Sequence, residues 1–468
     1  MQMTRVLVSA SWRRTTMAKS LRVHLSETVR LAGPLAAAQL TTFMMGVVDV
    51  ACVGRYSEVA LGAVGVANAL IWGCSSLVLG LPLALDPLVS QSVGQNNPVR
   101  AYQWLKQGVI ATTLVTIPIC LLAVIGCGSL TAFGIPENLS DEAFEYAIYR
   151  APSLIFFNAF LAAKSYLQSH EVTRPILFSA LLANIINLVL NIILIYGDRA
   201  LVAIGLPEIG LPPLGVVGAG ITTTVSSFAL AAFLFRDVYK LRPNREKRAV
   251  PPPSMRKLFG LAWPISLQQI GESWLFSGFG VLAGRFGEVA AGAHQVALTL
   301  CACAFMLALG LSSATSVRVG HAVGANEQQD VRRAAIAGLI LVLMIMGSTS
   351  TLFLLFPESL VELLTNERNV SNIAASLLAY GAAFALFDGV QVVIGGALRG
   401  AGDVRIPSIL SFMTYWGVGG TVGLIAMNTP LELTGIWLGL CAGLMSASVV
   451  LSYRFFWVTR RPIIAVET

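Results

Sequence analysis

Charge is scarce in this chain. Asp, Glu, Lys and Arg make up 12% of its 468 residues against 56% hydrophobic ones, and the mean hydropathy is +0.74. That leaves too little polar surface to cover a water-soluble globule of this size. The seven cysteines (Cys52, Cys74, Cys120, Cys127, Cys301, Cys303, Cys441) lie almost entirely in apolar stretches, with no CxxC pair and no histidines at zinc spacing. They read as small buried hydrophobes, not as a metal site or a disulfide frame. His170, His294 and His321 are scattered, and no Ser/His or His/Asp set converges in the pattern, so the expectation is that the chain is not an enzyme. Gly395-Gly396 and Gly417 to Gly420 lack the Lys-Ser/Thr of a phosphate loop, so neither ATP nor another cofactor is expected; they read as points of close helix approach. Residues 1–30 are basic (Arg5, Arg13, Arg14, Lys19, Arg22, Arg30) but contain no apolar core before a small-residue cleavage site, so no removable signal peptide is expected. A presequence-like arm is the other reading of that stretch, and Met17 is an alternative start.

What the chain has in quantity is long apolar runs, as in Leu61 to Leu85. A run of about 20 residues spans the hydrocarbon core as a helix. In lipid every backbone N–H and C=O must be paired internally, and runs without polar alternation exclude a barrel. The expected fold is therefore an all-α polytopic membrane protein. Charge clusters, Pro and Gly divide it into twelve transmembrane helices near 28–53, 59–83, 103–127, 146–166, 175–196, 214–236, 258–283, 289–312, 333–356, 371–396, 406–427 and 434–458. The polar, proline-rich stretch with Pro251, Pro252 and Pro253 reads as a linker. The division is then an N-terminal arm (1–27), an N-lobe (28–236), a linker (237–257), a C-lobe (258–458) and a tail (459–468). Of the 31 Lys and Arg only Arg55, Arg150, Arg199, Arg285 and Arg368 fall on the side of the odd-numbered loops, so arm, linker and tail are expected to be cytoplasmic, in the inner (cytoplasmic) membrane. The opposite face is acidic, with Glu137, Asp141, Glu142 and Glu145 in one loop and Glu358, Glu362 and Glu367 in another. Orientation thus accounts for the net charge of +7, and no nucleic-acid partner is implied.

The chain also repeats. Leu31 to Gly94 aligns with Leu261 to Gly324 without a gap at about one identity in three. Gly54-Arg55-Tyr56-Ser57-Glu58-Val59-Ala60 answers Gly284-Arg285-Phe286-Gly287-Glu288-Val289-Ala290, and Glu171-Val172 before Pro175 answers Asp403-Val404 before Pro407. Six spans per copy give both copies one orientation, hence two six-helix lobes related by a pseudo-two-fold axis along the membrane normal, a transporter architecture.

Against this background the carboxylates in the spans stand out, because an ionised acid in hydrocarbon costs several kcal/mol unless it is wet, paired or protonated. Asp49 lies in the first span, Asp86 near the end of the second, Glu272 in the seventh and Asp388 in the tenth. Each can hold a proton or a cation, or can serve packing through a neighbouring helix; Asp86, beside Pro87, leans to packing. In the repeat Asp49 faces Phe279 and Glu272 faces Thr42, so the acids were placed individually. Asn184, Asn187 and Asn191 form one helix stripe that either lines a cavity with Asp49 or bonds between helices. Gln39 and Gln269 are equivalent and read as polar groups of the cavity or of lobe packing; Pro34 and Pro264, also equivalent, each remove one helix hydrogen bond. Phe43, Met44, Trp72, Trp274 and Phe276 either receive flat apolar ligands or face lipid and neighbouring helices.

Taken in order, Gly46-Val47-Val48-Asp49, Asn187 with Ile192, Tyr196 and Gly197, Gly215 to Gly220, Pro264 with Glu272, Gly292-His294-Gln295, and Asp388-Gly389-Val390-Gln391 with Leu398 to Asp403 resemble the multidrug and toxic compound extrusion (MATE) family, NorM-type branch. The likeness runs from about residue 25 to 458. It implies export of cationic or amphipathic organic compounds in antiport with Na⁺ or H⁺ by a monomer in membrane lipid. Asp49 matches the family's N-lobe acid, with Asn187 and Asn191 beside it, and Glu272 and Asp388 match the acids associated with Na⁺. Phe384 stands where some sodium-coupled relatives carry a tyrosine, which leaves the ion open. A metabolite exporter of the same fold and a lipid-linked precursor flippase are the alternatives; the flippase would need several cations in its cavity, and the spans carry almost none.

Overall fold

A computed structural model describes residues 20–203, 205, 207–208, 210–244 and 252–466. The basic arm with Arg5, Arg13, Arg14 and Lys19, the alternative start at Met17, and Pro251 of the linker lie outside the described residues. In chain order the helices are α1 (Leu21–Gly54), α2 (Glu58–Gly94), α3 (Pro98–Gly128), α4 (Glu137–Arg150), α5 (Ser153–Ser169), α6 (Arg174–Tyr196), the short α7 (Asp198–Ala203) and α8 (Gly215–Lys240). After the linker come α9 (Met255–Ala283), α10 (Glu288–Gly324), α11 (Gln328–Leu355), the short α12 (Pro357–Glu362), α13 (Arg368–Gly400), α14 (Arg405–Met413), α15 (Thr421–Ala426) and α16 (Glu432–Val458).

Ten helical stretches among the described residues are long and apolar enough to cross a membrane, with α14 and α15 forming one through a π-helical turn over Thr414–Gly420. Two more complete the twelve. The fourth span is split into α4 and α5 at Ala151-Pro152, where proline has no N–H for the ladder. The seventh, α9, runs unbroken for 29 residues but is made more polar by Arg256, Lys257, Gln268, Gln269 and Glu272. Two helices outrun the spans expected from hydropathy: α2 and α10 continue to Gly94 and Gly324, past 83 and 312. The physical reason is burial by the opposite lobe. Nearly every residue of 78–94 and 310–323 is buried on all sides, whereas 58–77 and 288–309 bury one face only.

The repeat is visible in the packing. α2 and α10 are equivalent and each has 37 residues, and Ser90 meets its own counterpart Gly320, so the pseudo-two-fold axis passes between them. The surrounding contacts come in reciprocal pairs. A Cβ on Gly94 would strike the His321 carbonyl, and one on Gly324 the equivalent Gln91 carbonyl; likewise Gly80 lies against Ala262 and Ser266, and Gly310 against Ala36. Glycine is required at these positions because backbone approaches backbone there. Ser266 adds two bonds across the seam, accepting from Gly80 N at 3.2 Å and donating to Leu77 O at 2.7 Å.

All these contacts lie toward the face that carries residues 20 and 466, here called the terminal face. There the seam is sealed by charge: Arg318 of α10 pairs with Glu27 of α1, lies 3.8 Å from Glu171 and donates to His24 Nδ1 at 3.1 Å. His321 bonds the Ser169 carbonyl at 2.7 Å, and Gln91 donates to Gly400 O at 2.9 Å. The lobes therefore close against each other on the terminal face. Gly310→Val is expected to cost about 1–3 kcal/mol by overpacking this seam, lowering the melting temperature in detergent. Gly46→Ala, with nothing within 4 Å of its Cβ, is expected to match or exceed wild type. Equal melting of the two variants contradicts the seam.

Candidate functional site

Asp49 sits on α1 where the helix packs against α6 and α8, and it is 5% exposed. Three donors hold it. Asn187 and Asn191 of α6 donate to Oδ1 at 2.8 and 2.7 Å, and Thr223 of α8 donates to Oδ2 at 2.9 Å. Asn187 and Asn191 are one helical turn apart, which is why both amides reach the same oxygen. Asn184, on the same stripe, turns instead to the Thr41 carbonyl at 2.8 Å and serves helix packing. Around the cluster, the side-chain oxygens of Thr222, Ser226 and Asn191 are buried without a hydrogen-bond partner. A charge-assisted bond from each donor favours the ionised carboxylate, while the surrounding apolar lobe opposes it.

The C-lobe carries a second cluster. Asp388 of α13, 5% exposed, accepts from Gln391 at 3.1 Å, and Gln391 in turn accepts from the Tyr415 hydroxyl at 3.0 Å. Tyr415 lies in the π-helical turn, a local widening often found at functional positions. Glu272 on α9 is half-buried, and the charges of Asp388 and Arg399 both reach it. Phe384, one turn before Asp388, packs edge-on against Phe276 at 5.8 Å and beside Trp437, so an apolar ring fills that place. The acids of the two lobes thus stand at positions that the repeat does not make equivalent. Both Asp49 and Asp388 are buried, and their hydrogen-bond partners come from their own lobes. Glu272, half-buried, is the least enclosed of the three. Met44, Trp72 and Trp274 are exposed on the helix surfaces.

Cations missed in the sequence emerge between the lobes. Lys164 of α5, 6% exposed, donates to Gln39 at 3.0 Å, and Gln269, the counterpart of Gln39, is half-buried in the other lobe. Asp86 is held by Ser165 at 2.7 Å and Gln168 at 2.8 Å, and the charges of Arg399 and Lys164 reach it. Arg399 donates to Ser312 at 3.3 Å. The reading that the spans carry almost no cations is therefore corrected: Lys164 and Arg399 are inside, each facing an acid contributed by another helix. Lys164 lies inside the expected span 146–166 and Arg399 just beyond 371–396, so both were visible as lone cations in or beside apolar stretches. Thr223 and Tyr415 gave no such signal, since hydroxyls are common in spans. Among the described residues no group of three or more His, Cys, Asp or Glu could hold a metal ion, so a Na⁺ site at Glu272 and Asp388 would have to draw on other oxygens.

Two like-oriented helical lobes that meet on one face, each with a buried acid, have the architecture of a membrane transporter. The MatE family model matches residues 34–193 and 264–425, and the chain belongs to this family of MATE transporters. It is 32% identical over 450 residues to the probable multidrug resistance protein NorM of Rhodopseudomonas palustris, covering 94% of this chain and 93% of the relative. It is 31% identical over 446 residues to the multidrug resistance protein NorM of Burkholderia vietnamiensis, covering 93% and 94%. Among solved structures it is similar to the eukaryotic MATE transporter AtDTX14, with a TM-score of 0.81 at 20% identity over 94% of this chain and 98% of the other. It is also similar to an outward-facing multidrug resistance MATE transporter, with a TM-score of 0.82 at 19% identity over 94% and 97%. At that identity the likeness is one of fold.

The geometry predicts coupling between Thr223 and Asp49. Thr223→Val removes the Oδ2 donor at constant shape and is expected to cost about 1–3 kcal/mol in the wild type, measured by thermal unfolding, and clearly less in an Asp49→Asn background. Strictly additive effects of the two changes contradict the bond.

Proposed function

We propose that the chain exports cationic, amphipathic organic compounds in antiport with Na⁺ or H⁺, as a monomer in the inner membrane with its terminal face in the cytoplasm. The observation that carries this reading is Asp49: a carboxylate enclosed in the N-lobe, held by three neutral donors and, among the described residues, in no ion pair, with the charge of Arg150 reaching it from a distance. Such a group gains a proton, an ion or a positively charged cargo in turn, and competition for that one negative charge couples the fluxes. The second cluster at Glu272 and Asp388 offers the same choice in the C-lobe. The relatives' name, multidrug resistance protein, supports organic cations as cargo. The excess of Lys and Arg on the terminal face supports its cytoplasmic side. Closure of the lobes on that face suits release of cargo and entry of a coupling ion from the other side. No ATP is required, since the gradient supplies the work.

The test is efflux in a pump-deficient host and transport in inside-out vesicles. Asp49→Asn and Glu272→Gln are each expected to reduce efflux at least about tenfold, the effect of removing one charge-assisted interaction, with insertion unchanged. Wild-type efflux in both variants overturns the assignment. Imposing a Na⁺ gradient and then a pH gradient identifies the ion, and failure of both to drive export overturns antiport.

A further inference from the structure

At the terminal face, outside the buried clusters, α9 and α14 begin side by side and leave a cavity of about 650 Å³. Its lining includes Arg256 and Lys257 from the first turn of α9, Arg405 at the start of α14, and Gly260, Gly402 and Asp403. The three cations are exposed, and among the described residues no carboxylate is paired with any of them. Asp403, the acid of the lining, is engaged by Arg454 at 2.8 Å, and Lys257 donates to the Val466 carbonyl at 3.3 Å. The cavity is therefore strongly electropositive. Two helix N-termini add to this, because the first N–H groups of α9 and α14 have no acceptor within their own helices. Gly260 permits the convergence: the Arg405 guanidinium lies 3.4 Å from where a Cβ would stand.

Deeper along the same two helices the surface turns apolar, with Phe259 42%, Trp263 60%, Ile406 43% and Ile409 50% exposed. In a membrane protein such side chains face acyl chains, with an aromatic at the level of the headgroups. A cationic cavity above an apolar lipid-facing strip suits a ligand with an anionic head and hydrocarbon tails, and the volume suits a headgroup rather than a whole lipid.

We infer that this cavity binds the phosphate of an anionic glycerophospholipid drawn from the adjoining leaflet, held by Arg256, Lys257 and Arg405, with its chains along Trp263 and Ile409. The site rests on the proposed orientation only for naming that leaflet as cytoplasmic. It adjoins the turn from α13 to α14, where Gly402 has φ +83° and Val466 of the tail packs on it while its N–H bonds Gln91 at 2.8 Å. The lipid thus sits against the seam that closes the terminal face.

Native mass spectrometry of the purified full chain, with equal phosphatidylglycerol and phosphatidylcholine of the same acyl chains, tests the site without requiring transport. Wild type is expected to retain phosphatidylglycerol at least about tenfold over phosphatidylcholine, since each cation near a membrane surface favours anionic lipid. R256S/K257S/R405S is expected to lose that preference, and R236S/K240S/R242S, which removes as many cations from the same face, to keep it. Equal retention of the two lipids by wild type overturns the proposal, as does equal loss of preference in both triple variants. Protection against thermal unfolding by soluble glycerol 3-phosphate as strong as that by phosphatidylglycerol also overturns it, in favour of a free-phosphate site. If the first triple variant does not fold, the wild-type competition alone decides.

Discussion

A charge inside a hydrocarbon-embedded bundle must find a partner, and helices of one chain can supply it only by crossing one another. That constraint organises this protein. Asp49 is satisfied by α6 and α8, Asp86 by α5, Arg318 by α1, and Asp388 through Gln391 by Tyr415 of the π-helical turn. Except for the Gln391 step within α13, each partner comes from a different helix, so every buried charge also specifies which helices are neighbours. The partners differ in kind. At the seam between the lobes charges meet opposite charges, which suits a closure that must hold and later part. Inside the N-lobe Asp49 meets neutral donors.

The duplicated scaffold and the unduplicated chemistry separate along the same line. Glycines at equivalent positions, Gly80 with Gly310 and Gly94 with Gly324, let the two lobes approach around the axis in reciprocal fashion. Symmetry there is useful, since one contact type serves twice. The acids obey no such rule: where Asp49 stands, the other lobe has Phe279, a buried ring packed on Gly423. The basic cavity at the starts of α9 and α14 extends the asymmetry to the membrane surface, placing an anionic lipid site against the C-lobe side of the closure.

Much of this was legible without coordinates. Apolar length set the number of spans, the Lys and Arg distribution set their expected direction, and the gapless repeat implied like-oriented lobes before any packing was seen. The carboxylates in the spans were conspicuous because charge there is rare. The stripe of Asn184, Asn187 and Asn191 was visible too, but which of them would meet Asp49 was not, because periodicity fixes a helix face and not the depth or rotation of its neighbour. Hydropathy ended α2 and α10 too early for a related reason: it scores a residue against lipid, whereas the polar residues beyond 83 and 312 are covered by protein.

The sequence by itself determined an all-helical, twelve-span, duplicated chain and the identity of its buried acids, because hydrophobic length and charge rarity are properties of the linear chain. Only the tertiary structure decided that Asp49 and Asp388 are enclosed within separate lobes, that Lys164 and Arg399 stand inside against Asp86 and Glu272, and that the lobes are closed on the terminal face. Those outcomes depend on which helix faces which across distances of a few ångströms, and electrostatic pairing in a low dielectric falls or holds on that geometry.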